Sequence, residues 1–148
     1  VDENLSLASA ELELAALALR AAQLLERNQL ARAAVAQAYY AALHGINALL
    51  AAHGMRPSSH DGAQTLFGLH FVKSGAVDAE HGRRFARLYA QRLVADYKGV
   101  VELGGHEAAQ SLADVRPLLE VVAAQLRPLV PPGSPLQRQL DALLDLFK

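Results

Sequence analysis

Arg92 and Asp96 stand four residues apart, with Tyr97 directly after them. On a helix that spacing makes the two charged side chains neighbours. The face they share is set by Phe85, Leu88 and Tyr89 and is otherwise apolar. A charge on an apolar face is costly unless it is paired or bound. Two chemistries fit. One is an internal Arg92–Asp96 pair that braces a bundle and extends to Tyr39. The other is a polar pocket or dimer groove whose guanidinium holds a phosphate or a partner.

Tyr39 and Tyr40 lie on an earlier apolar stretch, and His60 sits in a Ser-Ser-His-Asp loop. Ser59 or Asp61 can cap the helix that follows this loop. His60 either packs over the Tyr39 helix or joins Tyr39 and Arg92 in one polar cluster. Arg83, Arg84, Arg87, Gln91 and Lys98 fall on the opposite face from Arg92, as a basic stripe that is either a solvated face or a contact for an anionic partner. The six histidines show neither His-x3-His nor Glu-x2-His on one helix, so no metal site is expected. Gly-rich phosphate loops and a Gly-x-Ser-x-Gly elbow are missing, and no cofactor is expected.

These residues must be positioned by helices. Of 148 residues, 52% are hydrophobic, mostly Ala and Leu, and only 5% are aromatic. Ala and Leu are strong helix formers, and the β-branched runs of strands are lacking. The length suits one domain with its own core. A net charge of −1 gives no global pull toward nucleic acid or membrane. With no cysteine, disulfides and thiolate metal sites are excluded, which agrees with a cytoplasmic setting. The acidic start (Asp2, Glu3) lacks the basic region of a secretory leader. Residues 33–55 carry no formal charge, but their Ala, Gly, Gln, Asn and His content is too polar for a membrane span.

Turn residues divide the chain into helices over about 5–27, 29–53, 63–72, 78–101 and 107–126, with Asn28 and Asp78 as N-caps, Gly54 ending the second, and Pro117 inside the fifth. The expected fold is all-α: an up-and-down bundle of four to five helices over residues 1–127, a Pro-rich linker over 128–135 and a short amphipathic helix over 136–148. Leu136, Leu140, Leu143, Leu144 and Phe147 form one stripe on that last helix, which either folds back on its own bundle or docks on another chain. No heptad run is long enough for a coiled coil.

The segments AYYAALHGINALLAAHG (38–54), SSH (58–60), LHFVKSGAVD (69–78) and RLVADY (92–97) follow in an order that resembles HEPN-domain proteins, most of all their small stand-alone bacterial and archaeal branch. The resemblance runs over about residues 10–126. It implies a helical bundle, commonly a homodimer, that works beside a small nucleotidyltransferase as a toxin–antitoxin-like or nucleotide- or RNA-binding pair. Some HEPN proteins are metal-independent ribonucleases, with an Arg followed after four to six residues by a His at a dimer groove. Arg92 matches that Arg, but Asp96, Tyr97 and Lys98 follow it and the next His is His106. Tyrosine, with a pKa of about 10, is a poor proton shuttle near neutrality. Gln37 stands where this branch often has an Arg before AYYA. Three functions remain: a non-catalytic HEPN module with a nucleotidyltransferase partner, a divergent ribonuclease, or a purely structural helical dimer. Candidate ligand- or partner-binding residues are Arg92, Asp96, Tyr97, Tyr39, Tyr40 and His60.

Overall fold

In the computed structural model, residues 3–97 and 103–148 are described. Among these residues six α-helices run in the order α1 (Glu3–Arg27), α2 (Ala31–Ala52), α3 (His60–Phe67), α4 (Ala79–Asp96), α5 (Gly105–Leu126) and α6 (Pro135–Asp145). A π-helical turn over Gly68–Val72 extends α3, and a 3-10 turn over Arg127–Leu129 follows α5. No strand occurs among the described residues.

The central element is α2, which packs on α1, α4 and α5. Beyond Arg32 in its first turn it carries no Asp, Glu, Lys or Arg, which explains this place. Val35, Tyr39, Ile46, Leu49 and Leu50 point into the core, and Ala34, Ala38, Ala41, Ala42 and Ala48 are buried as well. At Gly45 the α5 helix comes so close that an added Cβ would overlap the Leu119 Cδ2 methyl. Pro117 lies inside α5 without ending it.

Local chemistry sets the boundaries, and two differ from the sequence expectation. Asn28 does not cap α2. Its amide instead donates to the Leu24 carbonyl at 2.7 Å, closing α1, while Gln29 turns the chain at a φ of 62°. Helix α3 starts at His60 rather than Ala63, because the Ser59 hydroxyl accepts from the Gly62 amide at 2.9 Å. The α4 helix starts after Asp78, whose carboxylate caps the Glu80 amide at 2.8 Å, and stops at Asp96. The expected extension to Val101 lies outside the described residues.

The last helix folds back on its own bundle. Ser134 caps it, and Leu136, Leu140 and Leu143 are buried, chiefly against α1. Gln23 on α1 donates to the Leu146 carbonyl at 2.9 Å, and Ser9 donates to the Gln139 side chain at 2.6 Å. Among the described residues no helix is long and apolar enough to cross a membrane.

Candidate functional site

Three helices meet where Arg92 emerges from the core. The α2 helix supplies Tyr39 and Tyr40, the first residue of α3 is His60, and α4 supplies Phe85, Tyr89, Arg92 and Asp96. Phe85 and Tyr39 are fully buried and stack at 6.0 Å, forming the floor. Tyr39 also meets Tyr40, His60 and Tyr89 at ring distances of 5.5, 5.6 and 5.5 Å. His60 stands edge-on to Tyr40 at 6.3 Å and to Tyr89 at 6.4 Å. Tyr40, His60 and Tyr89 are half-buried, so this wall reaches the surface.

Arg92 closes the cluster. Its guanidinium carbon is 5.4 Å from the Tyr40 ring centre and 5.9 Å from that of Tyr39. Both distances are within cation–π range. Its Nη2 donates to the Tyr40 hydroxyl at 2.9 Å. Its Nε lies 3.3 Å from an Asp96 carboxylate oxygen, but that atom makes no aligned hydrogen bond among the described residues. The contact is one of charge. The side chains of Arg92 and Asp96 are 21% and 52% exposed, so the pair lies at the rim of the bundle rather than within it. Burial pushes the Tyr39 hydroxyl pKa well above its ordinary value, against the opposing pull of the Arg92 charge. The Tyr39 phenol therefore stays protonated at neutral pH.

The sequence grouped Arg92 with Asp96, and His60 with Tyr39 and Arg92; the structure brings all of these together, with Tyr40 as the hydrogen-bonding partner. Tyr97 does not join them in the same way. Tyr97 is 63% exposed, and among the described residues its contacts are made by its backbone, whose carbonyl accepts from Arg32 Nη1 at 3.3 Å. Arg32 also donates to the Val94 carbonyl at 3.4 Å and to that of Ala95. One guanidinium from the first turn of α2 thus caps the C-terminal end of α4, where the helix dipole favours a cation. Sequence reasoning missed this role. The signal was there: a lone Arg at the N-terminal end of α2 is misplaced for its own helix dipole, so it serves another helix. Tyr89 was also missed as a wall residue, since its spacing marks it as core.

The basic stripe does not stand as a set of free cations. Arg83 contacts Glu80 at 2.7 Å, and Arg87 contacts both Glu80 at 3.1 Å and Asp114 at 2.9 Å. Asp114 is almost fully buried on α5, so Arg87 is a tie between α4 and α5. These bonds raise the Arg87 pKa further and hold the Glu80 carboxyl below its usual range. Arg84 leans on His81 at 3.4 Å. Lys98 lies outside the described residues. Arg56, which precedes His60 by four residues, is spent on the Ala51 and Met55 carbonyls and the Asn4 side chain. Among the described residues no three His, Asp or Glu side chains converge on one point.

The chain belongs to the HEPN domain family, which it matches over residues 8–125. It is similar to a Methanocaldococcus jannaschii protein named "Putative toxin MJ0605", with 42% identity over 86 residues, 58% of this chain and 64% of that protein. A UPF0332 protein of Thermotoga maritima is 38% identical over 81 residues, 55% of this chain and 61% of that one. A UPF0332 protein of Pyrococcus horikoshii is 32% identical over 111 residues, covering 75% and 72%. The chain thus spans slightly less than two thirds of the first two relatives. The α6 helix lies beyond the family match, although its leucines complete the core.

Proposed function

We propose that this chain is a non-catalytic HEPN binding module, that it works in the cytoplasm with a small nucleotidyltransferase, and that it holds a nucleotide or RNA end at the Tyr40–His60–Tyr89–Arg92 cluster. The observation that carries this reading is the half-buried Arg92 guanidinium set among rings from three helices. A guanidinium matches a phosphate, and ring faces at a surface accept a base by stacking. Asp96, more exposed than Arg92, is the group a cationic side chain of the partner would meet. The α4 helix offers no imidazole after Arg92, which argues for holding rather than cleaving. The name of the archaeal relative supports a role in a toxin–antitoxin-like pair.

A specific observation favours a second reading, a divergent ribonuclease. His60 comes from α3 to the cluster that contains Arg92, supplying from another helix an imidazole that α4 lacks. An imidazole titrates near neutrality and is the usual proton shuttle.

Affinity purification of the tagged chain from its native host, followed by incubation of the isolated chain with labelled RNA, separates the two. A nucleotidyltransferase in near-equal amount and intact RNA are expected. RNA cleavage that disappears in both His60→Ala and Arg92→Ala would replace the module reading with the enzyme.

A further inference from the structure

The outer face of α1 carries an apolar stripe that no described residue covers. Leu7, Leu14, Leu17 and Leu24 are 38%, 44%, 58% and 50% exposed, while Leu12, Ala15, Leu19 and Ala22 face the core at under 2%. With Ala10 and Ala21, the exposed leucines fall at a and d positions of a heptad: 7, 14 and 21, then 10, 17 and 24. This is less than three heptads, too short for an autonomous coiled coil. Here the helix is already held by its bundle, so the length requirement does not apply.

The stripe is complementary to itself in one orientation. Turned antiparallel about a two-fold axis between Leu14 and Leu17, Leu7 faces Leu24 of a second copy, Ala10 faces Ala21, and Leu14 faces Leu17. Every pair then recurs by symmetry, as an isologous contact requires. The small Ala10 and Ala21 let the helices approach between the two leucine layers. Charge agrees with this register. Glu13 and Arg20 flank the stripe on one side, and neither has an ion-pair partner among the described residues. The same two-fold brings Glu13 of each copy beside Arg20 of the other. Glu13, Leu17 and Arg20 also border a 350 Å³ apolar groove between α1 and α6, closed by Ala142 and Leu146, which widens the surface beyond a single helix.

We infer that the outer face of α1 is a self-association surface, on which a second copy of this chain docks its own α1 antiparallel. The α1 helix packs on α2, α5 and α6, whereas Arg92 emerges where α2, α3 and α4 meet. This contact therefore differs from the dimer groove at the Arg that the family resemblance implies. It leaves both Arg92 clusters of the pair uncovered.

Sedimentation equilibrium of the purified chain tests the inference, with circular dichroism confirming that each variant is folded. An assembly at micromolar concentration is expected whose mass is halved by Leu14→Glu with Leu17→Glu and unaffected by Tyr40→Ala. Glu13→Arg places like charges together twice and should weaken association by about tenfold, which corresponds to about 1.4 kcal/mol. Adding Arg20→Glu to that variant should restore it. Because the chain has no cysteine, Ala10→Cys and Ala21→Cys report orientation cleanly. Mixed in equal amounts and oxidised, they should cross-link to each other more than to themselves. A monomer, or a dimer indifferent to Leu14 and Leu17, overturns the inference. So does preferential cross-linking of Ala10→Cys to itself.

Discussion

Arg92 on α4 donates to the hydroxyl of Tyr40 on α2 while its guanidinium lies over that same ring, so one cation is held both by a hydrogen bond and by a π face. The partner is an aromatic side chain 52 residues upstream rather than only the carboxylate four residues away. The arrangement bears on how Arg92 variants should be interpreted. A fully buried pair costs about 3 kcal/mol or more to break. Arg92 and Asp96 are too exposed for that figure, and Arg92→Ala should cost only about 1 kcal/mol. Denaturant unfolding checks this, and it makes Arg92→Ala a usable probe of binding.

Tyr40→Phe removes the hydroxyl that accepts from Arg92 but keeps the ring. We expect a loss of about 1 kcal/mol of stability, typical of one partly exposed hydrogen bond. If the cluster stacks a base, oligonucleotide affinity should survive Tyr40→Phe and fall in Tyr40→Ala. Fluorescence titration with a short labelled RNA distinguishes the two losses.

Gly45→Ala should be costly although alanine is the better helix former. The added methyl overlaps the Leu119 Cδ2 methyl, and Leu119 is fully buried, so the core must shift to admit it. Overpacking of this kind costs about 1–3 kcal/mol. Pairing the change with Leu119→Ala opens the space, so the double variant should lose less than the sum of the two single variants. Chemical denaturation of all four proteins completes the cycle.

Leu140→Ala in the last helix should cost about 2–5 kcal/mol, as for any fully buried leucine. That residue lies outside the segment matched by the family, so the loss would show that the C-terminal helix is an integral part of the folded unit. A thermal melt with one shifted transition is expected. Separate early melting of α6, seen as a shallow first phase, would contradict it.

Acidification should act through His81. Burial, and secondarily the Arg84 charge, hold its pKa below the ordinary value of about 6.5. The unfolded chain thus takes up this proton more readily than the folded one. The stability involved is present above the unfolded pKa and is lost as pH falls through the folded one. The difference in unfolding free energy between wild type and His81→Asn should therefore narrow as pH drops below about 6.5. Imidazole NMR resonances of His81 should titrate low, and move upward in Arg84→Ala.

The helices were legible because Ala and Leu periodicity is local, and because Asp78 and Gly54 punctuate it. The Arg92–Asp96 pair was legible for the same reason, since an i,i+4 contact needs no knowledge of the rest of the fold. What escaped the sequence was everything that crosses between helices. Tyr40 and Tyr39 are adjacent, and periodicity could not say which of them would accept from Arg92. Arg32 shares a face with Tyr39, yet its target is the end of a helix more than sixty residues away. Arg83 and Arg87 look like a free stripe until Glu80 and Asp114 are placed beside them. The α1 stripe escaped because alanines at 10 and 21 dilute its heptad pattern, and because only the fold shows which face of α1 remains uncovered.

The reach of Arg32 has a consequence for how a ligand would be sensed. With Tyr39, Tyr40 and Arg32 all on α2, both the wall of the cluster and the clamp on the end of α4 hang from the most deeply buried helix. A molecule that seats between α3 and α4 would tighten two helices against that spine rather than order a loop. Its arrival should then register far from the point of contact, as slowed amide hydrogen exchange along the last turn of α4 and the first turn of α2.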